Sequence, residues 1–325
     1  MSTSAVFPAA PRAAGMYESF YLRAVSPQQP LAVWIRYTVH KRPGAAPNGS
    51  LWFTLFDPQR QGPVQQKLTT PQLSVPAGGW IAMGDAFMGE NRAEGSCGGA
   101  SWSLEIEPEA SELRHLAPDF LYRLPLPRTK LSSPAPLATF TGTVETPQGP
   151  TIPLDGWHGM VGHNWGSEHA ERWIWLNGLD FAGHPGAWLD VALGRIKVGG
   201  RMTPWVANGA LFLDGRLMRL GGLRPRSAAV REQADRAVLS LRGAGGVRVS
   251  CRVETPPNGL AGWRYADPDG GEHDVVHSSV AKLAVSADLP GAGAPVSLET
   301  QHGGAYELGM REHDHGVELA PFADG

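Results

Sequence analysis

The sequence predicts an all-β protein of two domains, and three observations carry that expectation. The chain holds 41 glycines and 28 prolines while charged residues make up only 18%, a balance that favours many short strands joined by turns over long helices. Apolar and polar residues alternate in short segments bounded by turn-forming residues. At 325 residues the chain exceeds the length over which one hydrophobic core keeps growing, so two units of about 150 residues are expected.

After an Ala/Pro-rich lead, residues 1–15, expected to be flexible, residues 16–24 and 31–40 read as strands, with Val33, Ile35, Tyr37 and Val39 on one side of the second. Residues 51–57 continue an antiparallel meander. Segments 66–69, 80–83, 101–107, 121–124 and 138–144 follow at the spacing of a barrel or sandwich. Segments 109–116 and 228–237 carry a helical charge pattern with little apolar face and read as short helices. The Gly/Pro/Thr-rich run 146–153 reads as the connector, giving an N-terminal domain over 16–150 and a C-terminal domain over 151–325. In the latter, 186–193, 205–212, 247–254, 261–265, 275–289 and 296–310 read as strands. Residues 101–108 and 249–256 share a strand followed by a Glu/Pro ending, an internal echo that agrees with two similar β-domains.

A net charge of -3 and a pI near 6.4 give no electrostatic footprint for nucleic acid or an acidic membrane surface. Cys97 and Cys251 are too few and too far apart for a disulfide framework or a paired-cysteine zinc motif, and read as free thiols. The opening residues lack a basic start and an apolar run, and no stretch of about eighteen apolar residues occurs. The expectation is therefore a soluble, cytoplasmic protein with no integral membrane segment. Gly98-Gly99 and Gly199-Gly200 lack the strand-to-helix setting of a phosphate loop, and there is no Gly-x-Ser-x-Gly elbow.

Residues 154–181 gather four of the eleven tryptophans, Trp157, Trp165, Trp173 and Trp175, and three of the eleven histidines, His158, His163 and His169. An indole needs packing and an acceptor for its N–H, and a buried polar group needs a partner, so the stretch reads as the wall of a site at the start of the second domain. Residues 172–181 alternate as a strand with Trp173, Trp175, Asn177, Leu179 and Phe181 on one face. Upstream, glycines 156, 159, 162 and 166 predict a turning, bulged segment carrying His158, His163, Asn164 and Trp165.

The strand Tyr17-Glu18-Ser19-Phe20-Tyr21-Leu22-Arg23, and Gly162-His163-Asn164-Trp165-Gly166-Ser167 followed by Trp173-Ile174-Trp175, resemble the hydroxyneurosporene synthase and AttH-like proteins. That superfamily is related to tocopherol cyclases and to fungal decalin-forming Diels–Alderases. The second match is similar to its Asp-His-Glu-Trp then Trp-x-Trp pattern. The resemblance implies two lipocalin-like antiparallel β-barrel domains packed side by side, an isoprenoid or polyene substrate, and His163, Trp165, Trp173 and Trp175 as pocket-lining residues. The chain departs from the pattern where acids flank the histidine, having Gly162 and Asn164 there. A proton donor is then expected at Glu168, Asp155, Asp180 or Glu18.

Grouped indoles offer an apolar wall and a negative π-face for a passing carbocation, and a buried carboxylic acid stays protonated and able to start such a reaction. His163, Glu168 and Asp155 are the catalytic candidates, although a structural hydrogen bond would equally account for His163 and Glu168. Trp157, Asn164, Trp165, Trp173, Trp175, Asn177, Tyr21, Glu18 and His277 are the substrate-binding candidates. The spacing of His158, His163, His169 and Glu168 matches no zinc signature, so no metal and no cofactor are expected. The expected function is a cofactor-independent cyclase, isomerase or hydratase acting on a hydrophobic small molecule. The alternative is a non-catalytic carrier for a lipophilic metabolite. Both readings place Trp165, Trp173 and Trp175 in one dry chamber.

Overall fold

The computed structural model describes residues 3–147, 149–222, 227–291 and 293–322. The chain is nearly all β, in two nearly closed antiparallel barrel sheets. The first contains β1 (Met16–Val25), β2 (Ala32–Lys41), β3 (Asn48–Phe56), β4 (Val64–Thr70), β5 (Leu73–Ser74), β6 (Ile81–Met83), β7 (Ala86–Met88), β8 (Arg92–Cys97), β9 (Ala100–Pro108), β10 (Leu113–Arg114), β11 (Thr129–Glu145) and β12 (Ile152–Gly166). A short pair, β15 (Lys197–Val198) and β16 (Arg201–Met202), stands apart from both barrels. The second barrel contains β13 (Arg172–Gly178), β14 (Trp188–Arg195), β17 (Val206–Leu213), β18 (Arg216–Gly221), β19 (Ala228–Glu232), β20 (Arg236–Arg242), β21 (Arg248–Glu254), β22 (Ala261–Ala266), β23 (Glu272–Asp288) and β24 (Val296–Met310).

The two sheets share a plan. In each, the first strand pairs with the last: β1 with β12, and β13 with β24. Each last strand pairs in turn with a long, irregular neighbour, β11 or β23, which then pairs with β9 or β21. The echo between residues 101–108 and 249–256 therefore falls on equivalent strands.

Alternation along the strands sorts side chains between barrel interiors and the seam between barrels. On β1, Phe20, Leu22 and Ala24 join the first core, while Val25 joins Trp34, Trp52, Phe56, Trp263, Tyr265 and Val275 in the seam. On β13, Ile174 and Leu176 join the second core and Trp175 meets Met160 and Ala305 across the seam. Buried Arg23 spans the seam, its Nη1 donating to Asn177 Oδ1 and its Nη2 to the Ser279 carbonyl, both at 2.9 Å.

Several expectations are corrected. The run 146–153 does not coincide with the change of sheet: β11 reverses into β12 there, Val144 facing Ile152, and β12 closes the first barrel against β1. Turn residues look alike in a hairpin and in a linker. The change of sheet falls between Gly166 and Arg172. Residues 156–166 are also largely continuous strand, although β12 carries a register irregularity near Gly156. Its glycines mainly admit close neighbours, for a Cβ at Gly159 would lie 1.9 Å from the Arg23 carbonyl oxygen. The helices expected over 109–116 and 228–237 are absent, the segments holding β10 and β19, and 121–124 begins in a short 3₁₀ turn, Asp119–Tyr122.

The lead is docked rather than loose over its described residues. Glu18 accepts the backbone N–H groups of Val6 and Phe7, Lys41 Nζ donates to the Pro11 and Arg12 carbonyls, and Phe7 is buried in the first core. Cys97 and Cys251 are buried free thiols, each pushed up to about 12 by burial. No helix among the described residues is long and apolar enough to cross a membrane.

Candidate functional site

A cavity of about 560 Å³ opens at the seam, lined from both barrels. β1 and β2 contribute Tyr21, Trp34 and Arg36, and β12 contributes Asn164. From the second barrel come Trp173 and Trp175 of β13, Tyr265 of β22 and Glu307 of β24. Leu116, Leu121, Leu124 and Leu126, from the connection between β10 and β11, add an aliphatic side.

Two glycines make room for the rings. Gly162 pairs with Tyr21 across β1 and β12, and a Cβ on it would lie 2.1 Å from Tyr21 Cζ. Gly309 pairs with Trp173 across β13 and β24, and a Cβ there would meet the indole at 2.1 Å. Tyr21 thus occupies the space that a side chain at position 162 would need. Tyr21 in turn meets Trp175 edge-on, with ring centroids 5.7 Å apart.

Among the described residues Glu307 is the acid lining this cavity. Its Oε1 accepts the Trp173 indole N–H at 2.9 Å and its Oε2 accepts the Tyr265 hydroxyl at 3.3 Å. Burial pushes its carboxyl above the ordinary carboxylate range, opposed by the Trp173 hydrogen bond and by the charge of Arg36. Burial also raises the Tyr21 and Tyr265 hydroxyls well above the usual phenol value. Across β23 and β24, His277 stands opposite Glu307, its Nδ1 3.6 Å from Oε2. Burial, helped by the charges of Arg23 and Arg36, lowers His277 to about 3, so it is neutral near pH 7. The site therefore offers a carboxyl biased toward its protonated form, an indole-rich wall and the phenols of Tyr21 and Tyr265.

Of the residues singled out in the sequence, Tyr21, Asn164, His169, Trp173 and Trp175 line this cavity, and His277 lies behind it against Trp34 and Trp175. Asn177 faces the seam but holds Arg23. Trp157 is core of the first barrel. Successive strand positions point oppositely, so His163 and Trp165 turn away from Asn164 and stack on one another inside the first barrel, 4.4 Å between centroids. They line a different cavity of about 480 Å³, so the three indoles 165, 173 and 175 do not share one chamber. His163 bonds to Glu18, Nε2 to Oε1 at 2.7 Å, rather than to Glu168. Glu168 is half-buried beside Arg128 and Arg311, Asp155 is exposed, and Asp180 pairs with His158. None of the three catalytic candidates from the sequence lines the seam cavity.

Glu307 and Arg36 escaped the sequence reading. Both sit on plain alternating strands with no motif around them. The usable signal was a charged residue on the apolar-facing side of a strand, visible only once the seam defines which side that is.

At the edge of the cavity, His169 of its lining forms with Asp267 and His273 a group of three possible metal ligands, the sole such group among the described residues. His169 Nδ1 bonds Asp267 Oδ1 at 2.7 Å, and Arg311 Nη2 lies 3.5 Å from Asp267 Oδ2. Burial raises the Asp267 carboxyl, but the bonds from His169 and the charge of His169 and His273 outweigh it and hold it below the usual range. The arginine already supplies positive charge to this carboxylate, which leaves it a poorer ligand for a cation.

The paired-barrel fold is shared with solved structures of low sequence identity. A candidate AttH of Nitrosomonas europaea aligns with a TM-score of 0.59 at 14% identity, covering 94% of this chain and 97% of that one. CghA, crystallised with Sch210972, aligns at 0.63 and 14% over 96% of both chains, and kievitone hydratase of Nectria haematococca at 0.53 and 10% over 94% and 95%. In sequence, uncharacterised proteins of two Mycobacterium tuberculosis strains are 27% identical over 316 residues, covering 95% of this chain and 90% of theirs. No family model matches the chain.

Proposed function

We propose that the protein is a cofactor-independent cyclase, isomerase or hydratase for a hydrophobic polyene or isoprenoid-like molecule bound in the seam cavity, with Glu307 as its general acid. The observation that carries this reading is a buried carboxyl, biased toward protonation, facing an apolar chamber. The protonated carboxyl donates to one end of a carbon–carbon double bond, leaving a carbocation at the other end. Trp173, Trp175 and Trp34 stabilise that cation through their π-faces while the apolar walls exclude bulk water. The cation is then attacked by a second double bond, the new cation losing a proton to the Glu307 carboxylate, or it loses a neighbouring proton to that carboxylate directly, or it is captured by one water whose proton passes to the same carboxylate. These outcomes are cyclisation, isomerisation and hydration. Tyr21 and Asn164 position the substrate, and His277, neutral behind Glu307, supports the carboxyl. Kievitone hydratase, whose name states a hydration, supports the third outcome on this fold.

The carrier reading predicts binding without turnover. It is separated from the enzyme reading by Glu307→Gln, assayed on polyene and prenyl substrates by product analysis. Turnover is expected to fall by about 10²–10⁴-fold while ligand affinity stays within about threefold, the order of a lost neutral hydrogen bond. Unchanged turnover in the variant would remove Glu307 from the chemistry, and binding with no product in either protein would favour the carrier.

A further inference from the structure

Arg36 lies on the seam face of β2, is 4% exposed and lines the cavity. Its Nε donates to Ser19 Oγ at 2.9 Å, and its guanidinium carbon lies 4.2 Å from the ring centroid of Tyr265 and 5.7 Å from that of Trp52. None of these partners is an anion, and Arg36 makes no ion pair with any described residue. The acid in the same lining, Glu307, stands beyond ion-pair distance of Arg36, whose charge lowers its carboxyl against the burial that raises it. A guanidinium has five N–H donors in a planar fork, so burying it beside apolar walls without a close ion-pair partner is costly. Buried Arg23 shows the alternative, spending its donors on Asn177 and Ser279 within the protein.

We propose that Arg36 receives a single acidic oxygen of the ligand, a carboxylate or an enolate, at one end of an otherwise apolar body. This deepens the reading of the cavity as a substrate site and rests on it. Among the described residues Arg36 is the lone lysine or arginine in the lining, which fits a monoanion rather than a diphosphate. The ligand's head then pairs with the guanidinium while its body lies along Trp34, Trp173, Trp175 and the leucine side. A pure hydrocarbon would leave the guanidinium without a close ion-pair partner.

The test titrates the whole protein with cis-parinaric acid, its methyl ester and farnesyl diphosphate, following tryptophan quenching. The acid is expected to bind at least about tenfold more tightly than the ester, the scale of one charge-assisted pair. Arg36→Gln should bring the acid down to the ester's affinity and leave the ester within about twofold, whereas Arg36→Lys should keep most of the preference. Equal binding of acid and ester by the unaltered protein would overturn the subsite while leaving the cavity reading intact. Tighter binding of the diphosphate than of the acid would overturn the monoanion. Binding of none of the three would overturn the subsite and the cavity reading together. The comparison among ligands on the unaltered protein decides the matter even where Arg36→Gln fails to fold.

Discussion

Trp173 donates its indole N–H to Glu307 Oε1 at 2.9 Å from a position that only a glycine at 309, directly across the sheet, leaves open. This bond favours the ionised carboxylate and so opposes the burial that raises its pKa. Trp173→Phe keeps a ring and removes the donor, so Glu307 should move further upward. A rate that depends on the protonated acid should then persist to higher pH, displacing the falling limb of the pH–rate profile. Stability carries the same sign. A raised folded pKa contributes stability that is fully present below the ordinary carboxylate range and is lost as pH rises through the raised value. Urea midpoints across that interval should fall less steeply in Glu307→Gln than in the unaltered protein.

The pairing of Gly162 with Tyr21 predicts a coupled effect. A methyl group on Gly162 would sit 2.1 Å from the Tyr21 ring, and neither strand neighbour can move without breaking the β1–β12 ladder. Gly162→Ala should cost about 1–3 kcal/mol, and Gly162→Asp should cost more. Adding Tyr21→Ala should recover most of the loss in the alanine variant, a coupling that denaturant unfolding of the single and double variants measures. Simple additivity would mean that the ring had already moved aside.

The fold was largely legible because alternation and turn residues are local signals: Met16–Val25 and Val296–Met310 lie in the sequence much as they do in the sheets. The change of sheet falls later than the turn-rich run 146–153 because β12 closes its barrel against β1, more than a hundred residues earlier, and no local pattern announces such a long-range pairing. The same strand explains the mixed outcome at the site. Alternation assigns His163 and Trp165 to one face and Asn164 to the other, but which face meets the second barrel is a tertiary fact. Trp173 and Trp175, on the face that meets the seam, reach the cavity. Arg36 and Glu307 reach it too, and nothing beside them in the chain marks them.

Glu18 anchors the N-terminal segment. Its carboxylate accepts the backbone N–H groups of Val6 and Phe7 and also bonds His163, all away from the seam cavity. Glu18→Ala should leave these groups unpartnered at a cost of about 2–4 kcal/mol and should accelerate hydrogen exchange at Val6 and Phe7. Polyene binding at the seam should be unchanged. Retained exchange protection at these two amides would show that Phe7 packing alone holds the segment.

Arg23 and Asn177 join the barrels through a charge that has no route to water, and the two halves of this contact should not behave alike. Asn177→Ala removes the acceptor and leaves the guanidinium buried with one carbonyl partner, the Ser279 oxygen at 2.9 Å. The loss should be about 3 kcal/mol. Arg23→Met removes the charge together with its need for acceptors and fills similar space with apolar atoms, so its cost should be smaller. Thermal or urea unfolding orders the two variants. A larger loss for Arg23→Met would mean that the guanidinium contributes net attraction across the seam.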